Sequence, residues 1–199
     1  MQTYSVAAFI NKKVLITGDV GSGKTRLTEK LLSEAIDQGC GKITLIDMAP
    51  PRARVGGARA GGRACIPYSR REKVRLLVPR GIARPRLDGA DAIGVLRIAE
   101  RNARTIEPCL LAFCKAPTET LFINDATMFL HAGAPSLLLK AVSMASTFIG
   151  NAYSGVALAD DKGSGINARE SEALGLLERV MDSIIRLEAH ADKCVRSVK

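Results

Sequence analysis

Gly18-Asp19-Val20-Gly21-Ser22-Gly23-Lys24-Thr25 (GDVGSGKT, residues 18–25) is a glycine-rich octet that closes on a lysine and a hydroxyl. The residues before it, Lys13 to Thr17 (KVLIT), are short, apolar and rich in β-branched side chains, the signature of a buried strand. After it, Leu27, Leu31, Ala35 and Gln38 recur at helical spacing while Glu29, Lys30, Glu34 and Asp37 face outward, so a helix is expected over 25–38 with Gly39 as its stop. A strand feeding a glycine loop that opens a helix lets successive backbone N–H groups curl around an anion at a helix N-terminus. The octet therefore reads as a phosphate-binding loop.

Working outward, strand and helix patterns alternate. Lys42 to Asp47 (KITLID) repeats the strand signature and ends at Pro50-Pro51. Residues 49–72 hold Gly56, Gly57, Gly61 and Gly62 among arginines with little apolar periodicity, which predicts a long loop or flap. Lys73 to Val78 reads as a strand, and Asp88 to Lys115 as helical with a break at Pro108. Thr120 to Asn124 (TLFIN) and Thr147 to Gly150 read as strands, and Ser136 to Ala145 as a helix opened by Pro135. Asn167 and Glu170 are spaced as a capping box, and Leu174, Leu177, Met181, Ile184 and Leu187 form an apolar stripe that predicts one long last helix. Alternation of this kind implies right-handed crossovers and a mainly parallel sheet covered on both faces. The expected fold is α/β, a three-layer α/β/α sandwich, in one nucleotide-binding domain over 1–199.

Each position of the octet has a physical task. Gly18, Gly21 and Gly23 remove Cβ atoms from the path of the anion. Lys24 places a point charge against β and γ phosphates, and the Thr25 hydroxyl can join the shell of a Mg²⁺ ion. Asp19, Val20, Ser22 and Arg26 complete the run of backbone around the phosphates.

With Gly18, Gly23, Lys24 and Thr25 in place, the sequence resembles the P-loop NTPase superfamily, and TLFIND, residues 120–125, resembles its acid-bearing strand. The resemblance implies the same α/β fold and a role for Asp125 in the Mg²⁺ shell. It also implies that Asp47, ending another strand, orients an acceptor hydroxyl as in many small-molecule kinases, and that Asn151, after 147–150, senses the γ-phosphate. Two alternatives stay open: Asp47 as a carboxylate capping its own turn or pairing with an arginine, and Asn151 as a turn former. The Asn-Lys-x-Asp string of the superfamily's GTPases does not occur, so ATP is the expected nucleotide. Ala126 stands where the hydrolytic members carry Glu, which argues for slow or substrate-gated chemistry over a fast motor.

Charge is concentrated in one segment. The whole chain carries +9, and Ala49 to Leu87 alone holds ten arginines and Lys73 against the single acid Glu72. An Arg/Gly-rich flap over 49–87 that meets an anionic substrate or partner is the expected use. Such a flap suits ATP hydrolysis or phosphoryl transfer on an anionic ligand. An ATP-controlled nucleic-acid binder is the rival, weakened because Tyr68 is the segment's only aromatic, and a slow regulatory ATPase switch acting on a protein partner is the third class. The five cysteines include no Cys-x-x-Cys pair and only two histidines accompany them, so they read as small buried hydrophobes rather than zinc ligands. No apolar run approaches the roughly 18 residues of a membrane span, and Tyr4 to Ile10 lacks the pattern of a signal peptide. A cytoplasmic protein with no membrane association is expected, and the C-terminal stripe leaves a homodimer open.

Overall fold

The computed structural model describes residues 4–55, 58–60 and 62–188, with the side chains of 53–55, 58–60 and 68 outside that description. Gly56, Gly57 and Gly61 of the expected flap, the side chains of Arg54 and Arg59, and Cys194 lie outside it as well. In chain order the elements are β1 (Lys13–Gly18), α1 (Lys24–Asp37), β2 (Ile43–Asp47), β3 (Ala53–Val55), β4 (Ala58–Ala60), β5 (Val74–Leu77), α2 (Pro85–Asp88) and α3 (Ala92–Lys115). Then come β6 (Thr120–Asn124), α4 (Thr127–Leu130), α5 (Pro135–Met144), β7 (Thr147–Tyr153), α6 (Ile166–Glu178) and β8 (Ser183–Leu187).

Six strands form one sheet in the order β5-β2-β6-β7-β1-β8, and every pairing in it is parallel. Its four inner strands are buried along almost their whole length, as apolar runs of this kind require when both faces are covered. Period-two alternation divides the core. Leu15, Ile46, Leu121, Ile123 and Phe148 pack beneath α3, α4, α5 and α6, while Val14, Ile16, Leu45, Phe122 and Ile149 pack beneath α1 and the 3-10 turn Val6–Phe9. The result is a three-layer α/β sandwich. Among the described residues no helix is long and apolar enough to cross a membrane.

Several expectations need correction. Pro108 lies inside an unbroken α3, because Ile106, Leu110 and Phe113 on either side of it are fully buried on the sheet and hold both halves of the helix in line. The terminal apolar stripe is two elements: Leu174 and Leu177 sit on α6, whereas Ile184 and Leu187 belong to β8, which pairs with the side of β1 that β7 leaves open. Nor is Asn167 a cap. Gly165 opens α6, and Asn167 Nδ2 donates to Ala159 O. The 49–72 stretch is not loop throughout, since β3 and β4 pair antiparallel with Arg54 opposite Arg59 and a 3-10 turn covers Tyr68–Lys73. Strand β7 runs on to Tyr153, so Asn151 lies within a strand rather than after one. Cys65 is exposed and Cys40, Cys109 and Cys114 are partly buried, so the cysteines are not the deep hydrophobes expected of them.

Candidate functional site

The loop Gly18–Thr25 turns between the C-terminal end of β1 and the first turn of α1, at the sheet edge where open parallel sheets collect ligands. Gly18 is required sterically: a Cβ there would stand 2.3 Å from Leu187 O and 2.7 Å from Ser22 Oγ. Gly21 and Gly23 hold φ values of 75° and 91°, which L side chains rarely adopt. Leu27 N–H reaches Gly23 O at 2.9 Å, so the amides of residues 24–26 stand ahead of the helical ladder, as the first turn of any helix must. Ser22 Oγ is buried without a partner, and Lys24 Nζ folds back to donate to Gly18 O and Asp19 O, both at 2.7 Å. A cradle with free amides, an orphaned hydroxyl and a lysine fits phosphate oxygens. Burial pushes the Lys24 ammonium below its ordinary range, and the Asp125 and Asp19 carboxylates pull it back up.

Facing the loop, β6 and β7 contribute an amide network. Thr25 Oγ1 meets Asn124 Oδ1 at 3.4 Å, so the polar residue opposite Thr25 is Asn124 and not its neighbour Asp125. Asn124 Nδ2 donates to Asp47 Oδ1 at 2.8 Å and to Gly62 O at 3.1 Å. Asn151 Nδ2 donates to Asn124 Oδ1 at 2.8 Å and Thr28 Oγ1 at 2.9 Å, and Asn151 Oδ1 accepts the Asp125 amide at 3.0 Å. Both Asn124 and Asn151 are thus spent on bracing β6, β7 and α1 at fixed separations. Asp47 is 2% exposed; its carboxylate takes the amides of Ala49 and Ala64 and so ties the start of the Arg/Gly-rich segment that leaves β2 to a point 15 residues along it. Burial pushes its carboxyl up, against the pull of those hydrogen bonds and of Arg63.

Asp125 does face the cleft. It has φ 62°, uncommon outside glycine, and Thr127 Oγ1 donates to its Oδ1 at 2.6 Å. Its carboxyl keeps an opening on the cleft with protein on every other side, and that burial raises its pKa although Thr127, Lys24 and His131 counteract it.

The cleft above the loop encloses about 560 Å³, within the range of ligand sites. Lys24, Thr25, Asp125 and Tyr153 line it together with Arg52, Arg84, Arg86 and His131. The Tyr153 ring lies 5.8 Å from both Lys24 Nζ and the Arg86 guanidinium carbon. Arg86, only 8% exposed, donates through Nη2 to Glu170 Oε2 and through Nε to Asn167 Oδ1 at 2.8 Å, while His131 Nε2 lies 2.7 Å from the same Glu170 oxygen. Burial alone would raise the Glu170 carboxyl, yet His131 and Arg86 hold it below its ordinary range. Asn124 and His131 escape sequence reading, while Arg86 is marked only as one of ten arginines in the basic segment and Glu170 only as the partner in a capping box; their meeting is hidden because they lie in separate stretches of chain.

Thr25 Oγ1 and the Asp125 carboxylate supply hard oxygen atoms at the cleft, and among the described residues no three His, Cys, Asp or Glu side chains gather into a metal site. That donor set suits Mg²⁺, which takes one or two protein oxygens and completes its shell with water and phosphate.

No protein-family model matches the chain, and no curated protein matches it. Among solved structures, it is similar to the flagellar accessory protein FlaH from Methanocaldococcus jannaschii at TM-score 0.43 and 10% identity, over 88% of this chain and 70% of that one. It is also similar to the PH0250 protein from Pyrococcus horikoshii OT3 at TM-score 0.39 and 14% identity, over 92% and 88%. Likenesses this loose carry no functional argument. What the chain's own geometry shows is a parallel α/β sheet with a glycine loop at a strand–helix junction, the layout that the P-loop resemblance implies.

Proposed function

We propose that the chain is a P-loop NTPase that binds ATP with Mg²⁺ and carries out slow hydrolysis or phosphoryl transfer onto an anionic ligand. The observation that carries this reading is the Gly18–Thr25 cradle opening onto a cleft that Arg52, Arg84 and Arg86 also line. The loop amides and Lys24 hold the β and γ phosphates, and Thr25 and Asp125 hold the metal, which supplies charge neutralisation on the phosphate oxygens. Asn151 orders the Asp125 backbone, and Asp47 clasps the segment that brings Arg52 to the cleft.

The same geometry favours a small anion over a polynucleotide as the second ligand. Arg63, Arg70 and Arg75, none of which lines the cleft, each bond to a group of the chain itself, which leaves less of the basic segment free to track a phosphate backbone. Lys24→Ala is the decisive variant. ATP binding with Mg²⁺, followed by calorimetry, should weaken at least tenfold, and turnover should vanish. Equal binding by both proteins refutes the reading, and salt-sensitive stimulation of turnover by RNA or DNA replaces the small anion with a nucleic acid.

A further inference from the structure

The arginines at the cleft are not equivalent. Arg84 gives Nε and Nη2 to the Asp88 carboxylate at 3.2 and 2.9 Å, and Arg86 is held by Glu170 and Asn167. Arg26 and Arg52 are exposed where they line the cleft, and among the described residues neither makes a hydrogen bond or an ion pair. Glu29, which lines the cleft as Asp125 does, gives its Oε1 to the Cys65 amide at 2.6 Å. Arg26 rides on α1, whereas Arg52 is seated on a glycine. Gly62 has φ 136°, and a Cβ there would stand 2.7 Å from Arg52 Cγ and 2.9 Å from its Nε, so the arginine stem lies in the notch that the missing side chain leaves. The carbonyl of the same glycine takes Asn124 Nδ2 at 3.1 Å, and Asn124 Oδ1 stands 3.4 Å from Thr25 Oγ1. Two contacts thus link the seat of Arg52 to the hydroxyl that ends the phosphate loop. The Asp47 carboxylate, on the amides of Ala49 and Ala64, fastens the chain just before Arg52 and just after Gly62.

We propose that Arg52 is a catalytic residue of phosphoryl transfer, its guanidinium pairing with the oxygens of the γ-phosphoryl group more strongly during transfer than in bound ATP. The proposal rests on the nucleotide reading of the cleft. In the step, a lone pair of water or of an acceptor hydroxyl forms a new P–O bond to the γ-phosphorus. The bond from the γ-phosphorus to the β–γ bridging oxygen breaks, its electron pair leaving on the nucleoside diphosphate, and the proton of the attacking O–H is released to solvent. As the group moves, its three equatorial oxygens swing away from the positions that the loop amides and Lys24 hold in the ground state. A guanidinium with no carboxylate of its own can follow them, and its planar fork meets two oxygens at once. Charge placed where it is needed only in transit lowers the barrier without tightening the resting complex. Gly62 and Asn124 are positioning residues: one leaves the notch for the arginine stem, and the other fixes that notch beside Thr25.

The test sets resting complex against transition state on the full chain. Arg52→Ala should bind a non-hydrolysable ATP analogue with Mg²⁺ within about threefold of wild type by calorimetry, while its kcat falls about 10²- to 10³-fold. ADP with Mg²⁺ and aluminium fluoride, which mimics the phosphoryl group in transfer, should bind the variant more weakly by about the same factor as kcat falls. Guanidinium chloride at low concentration should restore turnover to Arg52→Ala where sodium chloride at equal ionic strength does not, a response that a merely structural role would not give. Arg52→Lys keeps the charge without the fork and should recover only part of kcat. A kcat of Arg52→Ala within about threefold of wild type overturns the proposal. So does equal binding of the aluminium fluoride complex by both proteins, a readout that stands even where turnover is too slow to follow. Equal losses for the ATP analogue and the aluminium fluoride complex overturn it as well, since they would make Arg52 a holder of the resting anion. A wild type that binds no ATP overturns the nucleotide reading beneath it.

Discussion

Gly155→Ala should disable the phosphate loop from a residue outside it. Asp19 in the loop accepts the Val156 amide at 2.9 Å and the Ala157 amide at 3.2 Å, clasping the chain after β7 against the cradle. A Cβ on Gly155 would stand 2.2 Å from Asp19 Cγ, 2.5 Å from its Oδ1 and 2.6 Å from its Cβ, about 1 Å inside ordinary contact (roughly 3.4 Å). The carboxylate must swing away, and a 2.9 Å bond stretched by that much is no longer a bond. Hydrogen bonds to a charged group contribute about 1.5–3 kcal/mol when buried; these are partly exposed and one is long, so about 2 kcal/mol for the pair is the reasonable sum. Released, the Asp19 peptide also frees Lys24, which donates to its carbonyl. ATP affinity, measured by calorimetry with Mg²⁺, should fall about 10- to 30-fold, with far-UV circular dichroism unchanged. Asp19→Gly removes the Cβ as well as the carboxylate that the new methyl strikes, so on that background Gly155→Ala should cost under about 0.5 kcal/mol. Equal costs on both backgrounds would refute the argument.

Two other outcomes follow from buried charge. Glu170→Ala strands the Arg86 guanidinium and should cost about 3–5 kcal/mol in urea unfolding, whereas Arg86→Met with Glu170→Leu should recover most of it, since paired burial rather than attraction sets the balance. Asp125 has its native pKa raised by burial, so the unfolded chain ionises first and the wild type loses stability as pH climbs from the unfolded carboxyl pKa through the native one. Asp125→Asn carries no such charge: its Tm should exceed that of wild type at pH 8, with the gap closing toward pH 4 where the wild-type carboxyl is protonated, and turnover should be lost. A constant Tm difference across that range would mean that Asp125 acts on stability by packing alone.

Local pattern made the cradle readable. GDVGSGKT, the strand before it and the helix after it are contiguous, and each declares itself by spacing within a few residues. Asp47, Asn124 and Asn151 were harder, because their relation depends on strand order: β2, β6 and β7 lie side by side although 77 residues separate Asn124 from Asp47. Arg86, His131 and Glu170 show the same difficulty more strongly, being 45 and 39 residues apart with no shared motif. The last apolar stripe misled for a different reason. Steps of three and four from Leu174 to Leu187 satisfy a helix, but β1 offers an unpaired edge, and backbone pairing there recruits the β-branched Ile184 and Ile185. Pro108 misled because propensity yields to packing when both flanks of a helix are fully buried.

Strand β7 lies between β1 and β6, so the cradle and the Asn124–Asp125 corner hang from strands two ladder steps apart, about 9.6 Å at 4.8 Å a step. That gap is set by main-chain hydrogen bonding, which side-chain substitution leaves untouched. Reach across it belongs to Thr25, whose hydroxyl meets Asn124 at 3.4 Å, and to whatever occupies the cleft. Residues at this gap can therefore change chemistry, swapping amide for carboxylate, without changing span, and the site is a frame of constant width in which function can be rewritten one residue at a time.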